Sequence, residues 1–341
     1  MTAADFASFS NHAIAFASVV YALALLAHVA EWAMSRKVPV RAPSVVAQRA
    51  AHPVTVGSGG PATSGGPSVV PPEEDAEQQA SDDREERIDR FGRIGVALTV
   101  VACAVHLAAI VTRGLGSDPA RVPWGNMYEF TMAGTFGVTV MYLLLLRRYH
   151  LRWMGLLVTA FQVVVLMLDV LLLYEPAGPL VPALHSYWLM IHVTAAILAS
   201  GAFGVGALAS ALYLVKDRAE RRGTVRSSGY LARLPETSLL DRAAYRVHAF
   251  AFPIWTFAAL VAGPIWAEYA WGSYWNWDPK EVWAFITWVV YAAYLHARAT
   301  AGWKGRTAAI IALIGFATLL FNFVGINYFF GAGSMHSYAG G

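Results

Sequence analysis

Eight runs of about twenty predominantly apolar residues divide this 341-residue chain, and they limit its possible folds more than any other feature. A run of this length crosses the roughly 30 Å hydrocarbon core of a bilayer as an α-helix. Apolar residues make up 57% of the chain, which is more apolar surface than one soluble core could bury. We therefore predict an all-α polytopic integral membrane protein with about eight transmembrane helices. The runs lie near residues 14–34, 94–112, 127–146, 153–174, 187–215, 249–269, 279–299 and 308–330.

The distribution of Lys and Arg between the runs predicts the orientation, because basic residues stay on the cytoplasmic side of a membrane. If the N-terminus is external, only Arg113, Arg121 and Lys280 of the 25 basic residues lie outside, and the other 22 lie in or beside cytoplasmic loops. We therefore expect both termini to be external. No basic segment precedes the first run and no small-residue cleavage pattern follows it, so we expect it to remain as an anchor.

Composition divides the chain into three segments. Residues 1–35 are predicted to be an N-terminal transmembrane helix, and residues 91–341 a domain of seven helices. Residues 36–90 contain GSGGPATSGGP followed by EEDAEQQASDDREER and almost no aromatic residue, which is typical of a disordered linker, here cytoplasmic. A small folded domain is the alternative for this segment.

The single cysteine and the placement of basic residues exclude several functions. Cys103 alone forms neither a CxxC redox pair nor a thiolate zinc site nor an internal disulfide, so the chain cannot by itself reduce a partner's thiols. The basic residues follow the orientation rule rather than forming a patch, so no nucleic-acid partner is expected.

The segment WGSYWNWDPKEVW, residues 271–283, is the most unusual part of the sequence, and we call it the tryptophan-rich segment. Asp278, Pro279 and Glu281 form a helix-start signature, and PWGNMYE with Asn126 and Glu129 repeats it before the third run. Capping does not explain the tryptophans, since six of the 12 in the chain lie between residues 266 and 288. Two interpretations stay open: an aromatic belt at the membrane surface, or a platform for a large planar apolar ligand.

Histidines favour the ligand platform. The predicted topology places His192 and His336 on the same side of the membrane as the tryptophan-rich segment. Two neutral imidazoles and flat apolar walls are what a haem requires. His296 lies 15 residues after Glu281, which is about 22 Å deeper along a helix, and intramembrane histidines are functional candidates. The alternative is that each histidine only bonds a neighbouring helix.

The stretch WGSYWNWDPKEVWAFITWVVYAAYLHAR resembles the WWD signature of haem-handling proteins in cytochrome c biogenesis, specifically the CcsA/ResC family of System II. LVPALHSYWLMIHV, PWGNMYEF and MHSYAGG resemble further segments of that family. The resemblance covers roughly residues 90–341 and implies that the seven-helix domain handles haem.

The resemblance also implies which residues carry the function. His192 and His336 match the external axial ligands of haem b, and His296 matches the intramembrane histidine. Trp271, Trp275, Trp277 and Trp283 match, with Asp278, the haem platform. Haem would cross the membrane and be held on the external face.

On the external face, the resemblance implies, the vinyl groups of haem would be joined to the thiols of a CxxCH apocytochrome c. The implied setting is a bacterial plasma membrane, with a CcsB/ResB-type subunit and a separate thiol-reducing pathway. The chain would then be one subunit of a membrane cytochrome c synthase.

Two alternatives from other functional classes stay open. One is a haem exporter without attachment activity, and the other is a membrane electron carrier with a permanently bound b-type haem. If attachment is the activity, we expect catalysis by positioning, because no external constellation has nucleophile spacing. Arg113, Arg121 and Lys280 are candidate partners for the haem propionates, with ordinary topological charge as the alternative.

Overall fold

The computed structural model describes residues 2–35, 72–149, 151–177, 186–226, 228–330 and 334–335. These ranges contain helices, turns and loops but no β-strand, which confirms the predicted all-α class. Two helices are continued by π-helical turns, at Ala258–Ala262 and Phe321–Gly325. The α-helices of four turns or more, and the shorter pieces that complete them, are α1 Ala3–Ser35, α2 Pro72–Leu115, α3 Met127–Tyr149, α4 Gly155–Leu172, α5 Tyr187–Arg221, α6 Thr237–Phe257, α7 Gly263–Trp271, α8 Pro279–Thr300, α9 Arg306–Leu320 and α10 Ile326–Phe329.

Seven helical stretches within the described ranges are long and apolar enough to cross a membrane, so the chain is a multi-pass membrane protein. The predicted span that is not among these seven, residues 279–299, is present as α8, a helix of 22 residues. It falls outside the seven because Trp, Tyr, His and three charged residues lower its mean hydropathy.

The segment predicted as a linker is partly helical. Helix α2 starts at Pro72, so the prediction of a disordered linker is wrong for residues 72–90, while residues 36–71 lie outside the described ranges. Glu, Gln, Ala and Arg are strong helix formers, and the pairs Glu86–Arg90 (3.3 Å) and Asp89–Arg93 (3.1 Å) join side chains four residues apart. Low aromatic content indicated disorder, but a charged helix that continues a transmembrane span needs no core of its own.

One end of the bundle gathers the start of α1, the end of α2, the start of α3 and the end of α10. Ser10 donates to the carbonyl of Ala109 over 2.8 Å, and the Asn327 amide lies 2.9 Å from the sulfur of Met127. This is the end that the charge count predicts to be external.

The opposite end carries the basic loops. Arg152 contacts Asp89 at 3.2 Å and Glu31 at 3.7 Å, and the Tyr230 hydroxyl donates to the carbonyl of Trp153. Because successive spans alternate between these two ends, the connections agree with the predicted topology. The assignment of the ends to the two sides of the membrane stays a prediction.

Helix α5 lies at the centre of the bundle and packs against α3, α6 and α9. Phe203 of α5 stacks on Tyr291 of α8 with ring centroids 3.8 Å apart, and both side chains are fully buried. His192 is on this same helix, eleven residues before Phe203. The packing of α5 therefore fixes the position of His192 in the bundle.

Candidate functional site

The tryptophan-rich segment connects α7 to α8, as the sequence predicted. Helix α7 ends because Gly272 takes a left-handed conformation, with φ of 72°, which costs glycine little. Helix α8 starts with a complete capping box: the Asp278 side chain accepts from the backbone of the first turn, and Glu281 accepts from the backbone N–H of Asp278. The predicted capping role of Asp278 is thereby confirmed.

Glu281 also holds the conformation of Trp277. One oxygen of its buried carboxylate accepts from the N–H of Asn276 (2.8 Å) and of Asp278 (3.1 Å), the two neighbours of Trp277. Trp277 has φ of 58° and is 75% exposed. A positive φ strains a bulky residue, and such strain persists only where surrounding contacts impose it. The Glu281 carboxylate thus presents the Trp277 indole at the surface.

The four tryptophans of the signature make three separate aromatic contacts. Trp271 packs against Trp266 with centroids 4.8 Å apart, and Trp275 meets Trp277 edge to face at 6.0 Å. The other one, Trp283, lies against Phe321 in the second π-helical turn at 4.2 Å. The segment therefore offers several aromatic faces rather than one continuous plane.

His192 is oriented from two directions. Its Nδ1 lies 2.9 Å from the carbonyl oxygen of Ala258, and its ring stacks on Trp266 with the planes 11° apart. A carbonyl can only accept, so Nδ1 carries the proton, and in the neutral ring Nε2 is the nitrogen that can coordinate a metal. Trp266 joins this imidazole to Trp271. The structure thus brings His192 to the tryptophan-rich segment.

The Ala258 carbonyl that bonds to His192 is the first carbonyl of a π-helical turn, and it accepts from a backbone N–H as well as from His192. Within Ala258–Ala262 the backbone bonds shift by one residue, and the N–H of Gly263 bonds to the Ala258 carbonyl. Pro264 has no N–H to continue the ordinary pattern. Gly263 also gives His192 room, since a Cβ there would lie 3.1 Å from its Cε1. π-Helical turns occur frequently at functional sites.

His296 and His336 are not brought to His192 among the described residues. His296 lies in the last turns of α8 with its side chain exposed, about 22 Å along the helix from Glu281. His336 lies outside the described residues. The two residues before it are described: Ser334 and Met335 both bond to Asp278.

The candidate propionate partners each have a protein partner. Arg113 and Arg121 both pair with the fully buried Glu129, at 3.1 Å and 2.7 Å, and Arg113 also donates to the carbonyl of Glu175. The Lys280 ammonium donates to Asn327 over 2.9 Å. These contacts favour the structural interpretation of the three charges, while propionate pairing stays an untested prediction.

Sequence reasoning missed two groups at this site. Trp266 was counted among the clustered tryptophans but was not assigned a role, although it contacts both His192 and Trp271. The role of the Ala258 carbonyl was indicated only indirectly, because a Gly263-Pro264 pair inside an apolar run suggests an irregular helix there. No single-sequence pattern predicts that a helix 66 residues away will supply an acceptor to His192.

The comparisons with known proteins agree with this arrangement. The family described as "Cytochrome C assembly protein" matches residues 124–332, which include His192 and the whole tryptophan-rich segment. The "Cytochrome c biogenesis protein CcsA" of Guillardia theta is 36% identical over 261 residues, covering 72% of this chain and 85% of that protein. The CcsA protein of Synechococcus sp. (strain JA-3-3Ab) is 34% identical over 303 residues, covering 72% and 84%.

The fold is also found in a solved structure. The protein titled "Cytochrome c Heme Lyase CcmF" superposes with a TM-score of 0.60 at 16% identity over 95% of this chain, which spans about half of that protein (47%). At this identity the likeness concerns the fold alone. By the extent and identity of the sequence matches, the chain belongs to the cytochrome c assembly protein family and is of the CcsA type.

Proposed function

We propose that this protein holds haem b as a substrate at the end of the bundle that carries the tryptophan-rich segment, and presents it for thioether attachment to CxxCH apocytochrome c. It would do so as one subunit of a cytochrome c synthase with a CcsB/ResB-type partner. The observation that carries the proposal is His192, oriented by the Ala258 carbonyl and by Trp266 beside the tryptophan-rich segment.

The chemistry of this site suits an iron porphyrin. A histidine ligand to a metal commonly donates its second ring N–H to a carbonyl, which fixes the tautomer and orients the ring, and His192 makes this bond. A porphyrin also needs flat apolar surface, and the exposed rings of Tyr274 (60%) and Trp277 (75%) lie in the same segment. In this proposal His336 is the second axial ligand.

His296 has a different role in the proposal. Its side chain is exposed on a helix inside the apolar part of the chain, where an exposed polar ring faces lipid or another protein. We propose that it contributes to an intramembrane haem site that the partner subunit completes. A haem that crosses the membrane would then meet His296 before it reaches His192.

Attachment needs no residue of the signature to act as acid or base. When a thiol adds to a vinyl group, C–S and C–H bonds form while the S–H bond and the C=C π bond break, so no oxidant or reductant is consumed. Asp278 and Glu281 are occupied by backbone hydrogen bonds, which supports a structural role for both carboxylates. The protein's contribution is to hold haem and thiols in a fixed orientation.

The proposed site also requires a particular membrane and reduced apocytochrome thiols. We propose a bacterial plasma membrane, with the haem site on the external side, as the positions of the basic residues suggest. A separate pathway must keep the apocytochrome thiols reduced, because Cys103 is the only cysteine.

An absorption spectrum tests the proposal. The protein is purified with its CcsB/ResB-type partner, and wild type is compared with His192→Ala and His336→Ala. We expect a reduced haem spectrum that weakens or shifts in both variants. A haem-free wild type that still supports cytochrome c formation would contradict the site. An attachment assay with a CxxCH substrate separates the synthase from an exporter or an electron carrier, since neither of these would form a thioether.

A further inference from the structure

We infer that Asp278 is a positioning residue that fastens the C-terminal tail, through its described residues Ser334 and Met335, to the start of α8 and so restricts where the next residue, His336, is delivered. The contacts that carry this inference do not depend on haem. The consequence for His336 rests on the proposed function.

The Asp278 carboxylate serves two tasks, the cap of α8 and the contacts to the tail, and Oδ1 takes part in both. Oδ1 accepts from the N–H of Lys280 (2.9 Å), which caps α8, and from the hydroxyl of Ser334 (2.9 Å). Oδ2 accepts from the backbone N–H of Met335 at 2.6 Å. The side chain is 5% exposed, so water competes little for these oxygens. Hydrogen bonds to an ionised acceptor are short and roughly twice as strong as neutral ones.

Described residues both before and after residues 331–333 bond to the capping region of α8. Before them, the Lys280 ammonium donates to Asn327 of α10, whose amide donates to the carbonyl of Phe323. After them, Ser334 and Met335 bond to Asp278. Two residues of the α8 capping region, Asp278 and Lys280 on either side of Pro279, therefore bond to the chain before and after residues 331–333.

A capping role alone does not account for these contacts. An N-cap needs one acceptor oxygen directed at the first turn, and Oδ1 supplies it. The bond from Met335 uses the other oxygen and joins residues 57 positions apart. Fixing the backbone at Met335 restricts His336, since consecutive Cα atoms are about 3.8 Å apart. Asp278 thus ties the tryptophan-rich segment to the residue before the proposed ligand.

The variant Asp278→Asn separates the two tasks. Asn is as good an N-cap as Asp, so its carbonyl oxygen can keep the cap and the Ser334 bond. Its NH₂ group then faces the N–H of Met335, and two donors cannot bond each other. We expect α8 to stay capped and the Met335 backbone to lose its bond, while the Ser334 bond remains.

Glu281→Gln is the matched control. It removes one negative charge from the same capping box, but both of the bonds from Asn276 and Asp278 use one oxygen, which Gln retains. Glu281 makes no bond to the tail among the described contacts. We therefore expect the tail to stay fastened in this variant.

Tail mobility is measured first without haem. A spin label is placed at Met335→Cys in a Cys103→Ala background of the full chain with its partner; the Met335 side chain is 44% exposed and leaves room for the label. We expect an immobilised spectrum in the parent and in Glu281→Gln, and a smaller immobilised component in Asp278→Asn. An equally immobilised label in Asp278→Asn would overturn the inference. If that variant does not accumulate, Ser334→Ala removes one tail bond without touching the cap and should lose part of the immobilised component, whereas no loss would overturn it.

The haem-loaded complex tests the consequence. We expect the absorption spectrum of unlabelled Asp278→Asn to resemble that of His336→Ala, while Glu281→Gln resembles wild type. If the immobilised component falls in Asp278→Asn but the spectrum of His336→Ala equals wild type, Asp278 holds the tail and the proposed ligand role of His336 is wrong. If His336→Ala changes the spectrum and Asp278→Asn does not, the delivery of His336 does not depend on Asp278, and the inference is wrong.

Discussion

His192 and Trp266 stack with their ring planes 11° apart and their centroids 5.9 Å apart, while Nδ1 of His192 binds the carbonyl of Ala258. The imidazole is therefore oriented by α6, α7 and the π-helical turn between them. A ligand that is held before its metal arrives loses less conformational freedom on binding. The first prediction concerns what happens when this orientation is disturbed.

The variant Gly263→Ala should displace the His192 ring without unfolding the protein. The added Cβ would lie 3.1 Å from Cε1 and 3.2 Å from Nδ1 of His192, and 3.1 Å from the Ala258 carbonyl oxygen, so the ring, its acceptor or both must shift by a few tenths of an ångström. Ala is preferred over Gly in a helix by roughly 0.5–1 kcal/mol, which offsets part of the crowding. We expect a shifted haem spectrum with a thermal unfolding temperature close to that of wild type.

Gly134→Ala is the control for the same chemical change. Gly134 lies inside α3, and a Cβ there meets no atom within 4 Å. It should leave the haem spectrum unchanged and raise stability slightly. If Gly263→Ala gives the same spectrum as Gly134→Ala, the orientation of His192 does not govern haem binding.

The second prediction separates backbone strain at Trp277 from the use of its indole. Trp277→Gly relieves the left-handed strain, which is about 1–2 kcal/mol for a side chain with Cβ, and it removes little packing because the indole is 75% exposed. We expect a higher unfolding temperature but weaker haem retention. Trp277→Phe keeps both the strain and an aromatic ring, and it should retain haem better than the Gly variant. Equal retention in the two variants would mean that this indole is not part of the platform.

Much of the fold could be predicted from the sequence because its causes are local. Apolar runs and the caps at Asn126 and Asp278 act over a few residues, and the structure has helices beginning at Met127 and Pro279 as expected. The orientation that the Lys and Arg counts indicate stays a prediction. The prediction of a disordered linker is wrong from Pro72 onward, because a charged segment without aromatic residues can still be helical when it extends a transmembrane helix.

The site could be predicted only in part, because its decisive contacts join distant segments. The histidines and tryptophans were visible as residue types. The bond from His192 to the Ala258 carbonyl depends on a π-helical turn, and the bond from Met335 to Asp278 depends on how α8 and α10 pack. Tertiary packing creates both, so neither leaves a periodic signal in one sequence.

The third prediction concerns the buried ion cluster. Glu129 is fully buried and pairs with Arg113 and Arg121, and it also accepts from the N–H of Gly125. Removing one partner of a buried pair costs about 3–5 kcal/mol because the remaining charge is left uncompensated. We expect Glu129→Ala to lower the unfolding temperature strongly and to reduce accumulation.

Glu86→Ala provides the comparison for Glu129→Ala. Its pair with Arg90 is more than half exposed on both sides, and such pairs contribute about 0–1 kcal/mol. A similar small effect in both variants would show that the pairs of Glu129 with Arg113 and Arg121 contribute little to stability. The two arginines would then again be candidates for the haem propionates.

The last prediction concerns His296, whose side chain is exposed on α8. Replacing an exposed residue should cost little stability, so His296→Ala should accumulate as wild type does. If the partner subunit completes a haem site at this position, the variant should lose haem when the two proteins are purified together and should differ little from wild type when this chain is purified alone. Val289→Ala is the control, because Val289 lies seven residues earlier on the same face of α8 and is 43% exposed. An equal loss of haem with and without the partner would place the whole effect within this chain, and no loss in either preparation would exclude His296 as a haem ligand.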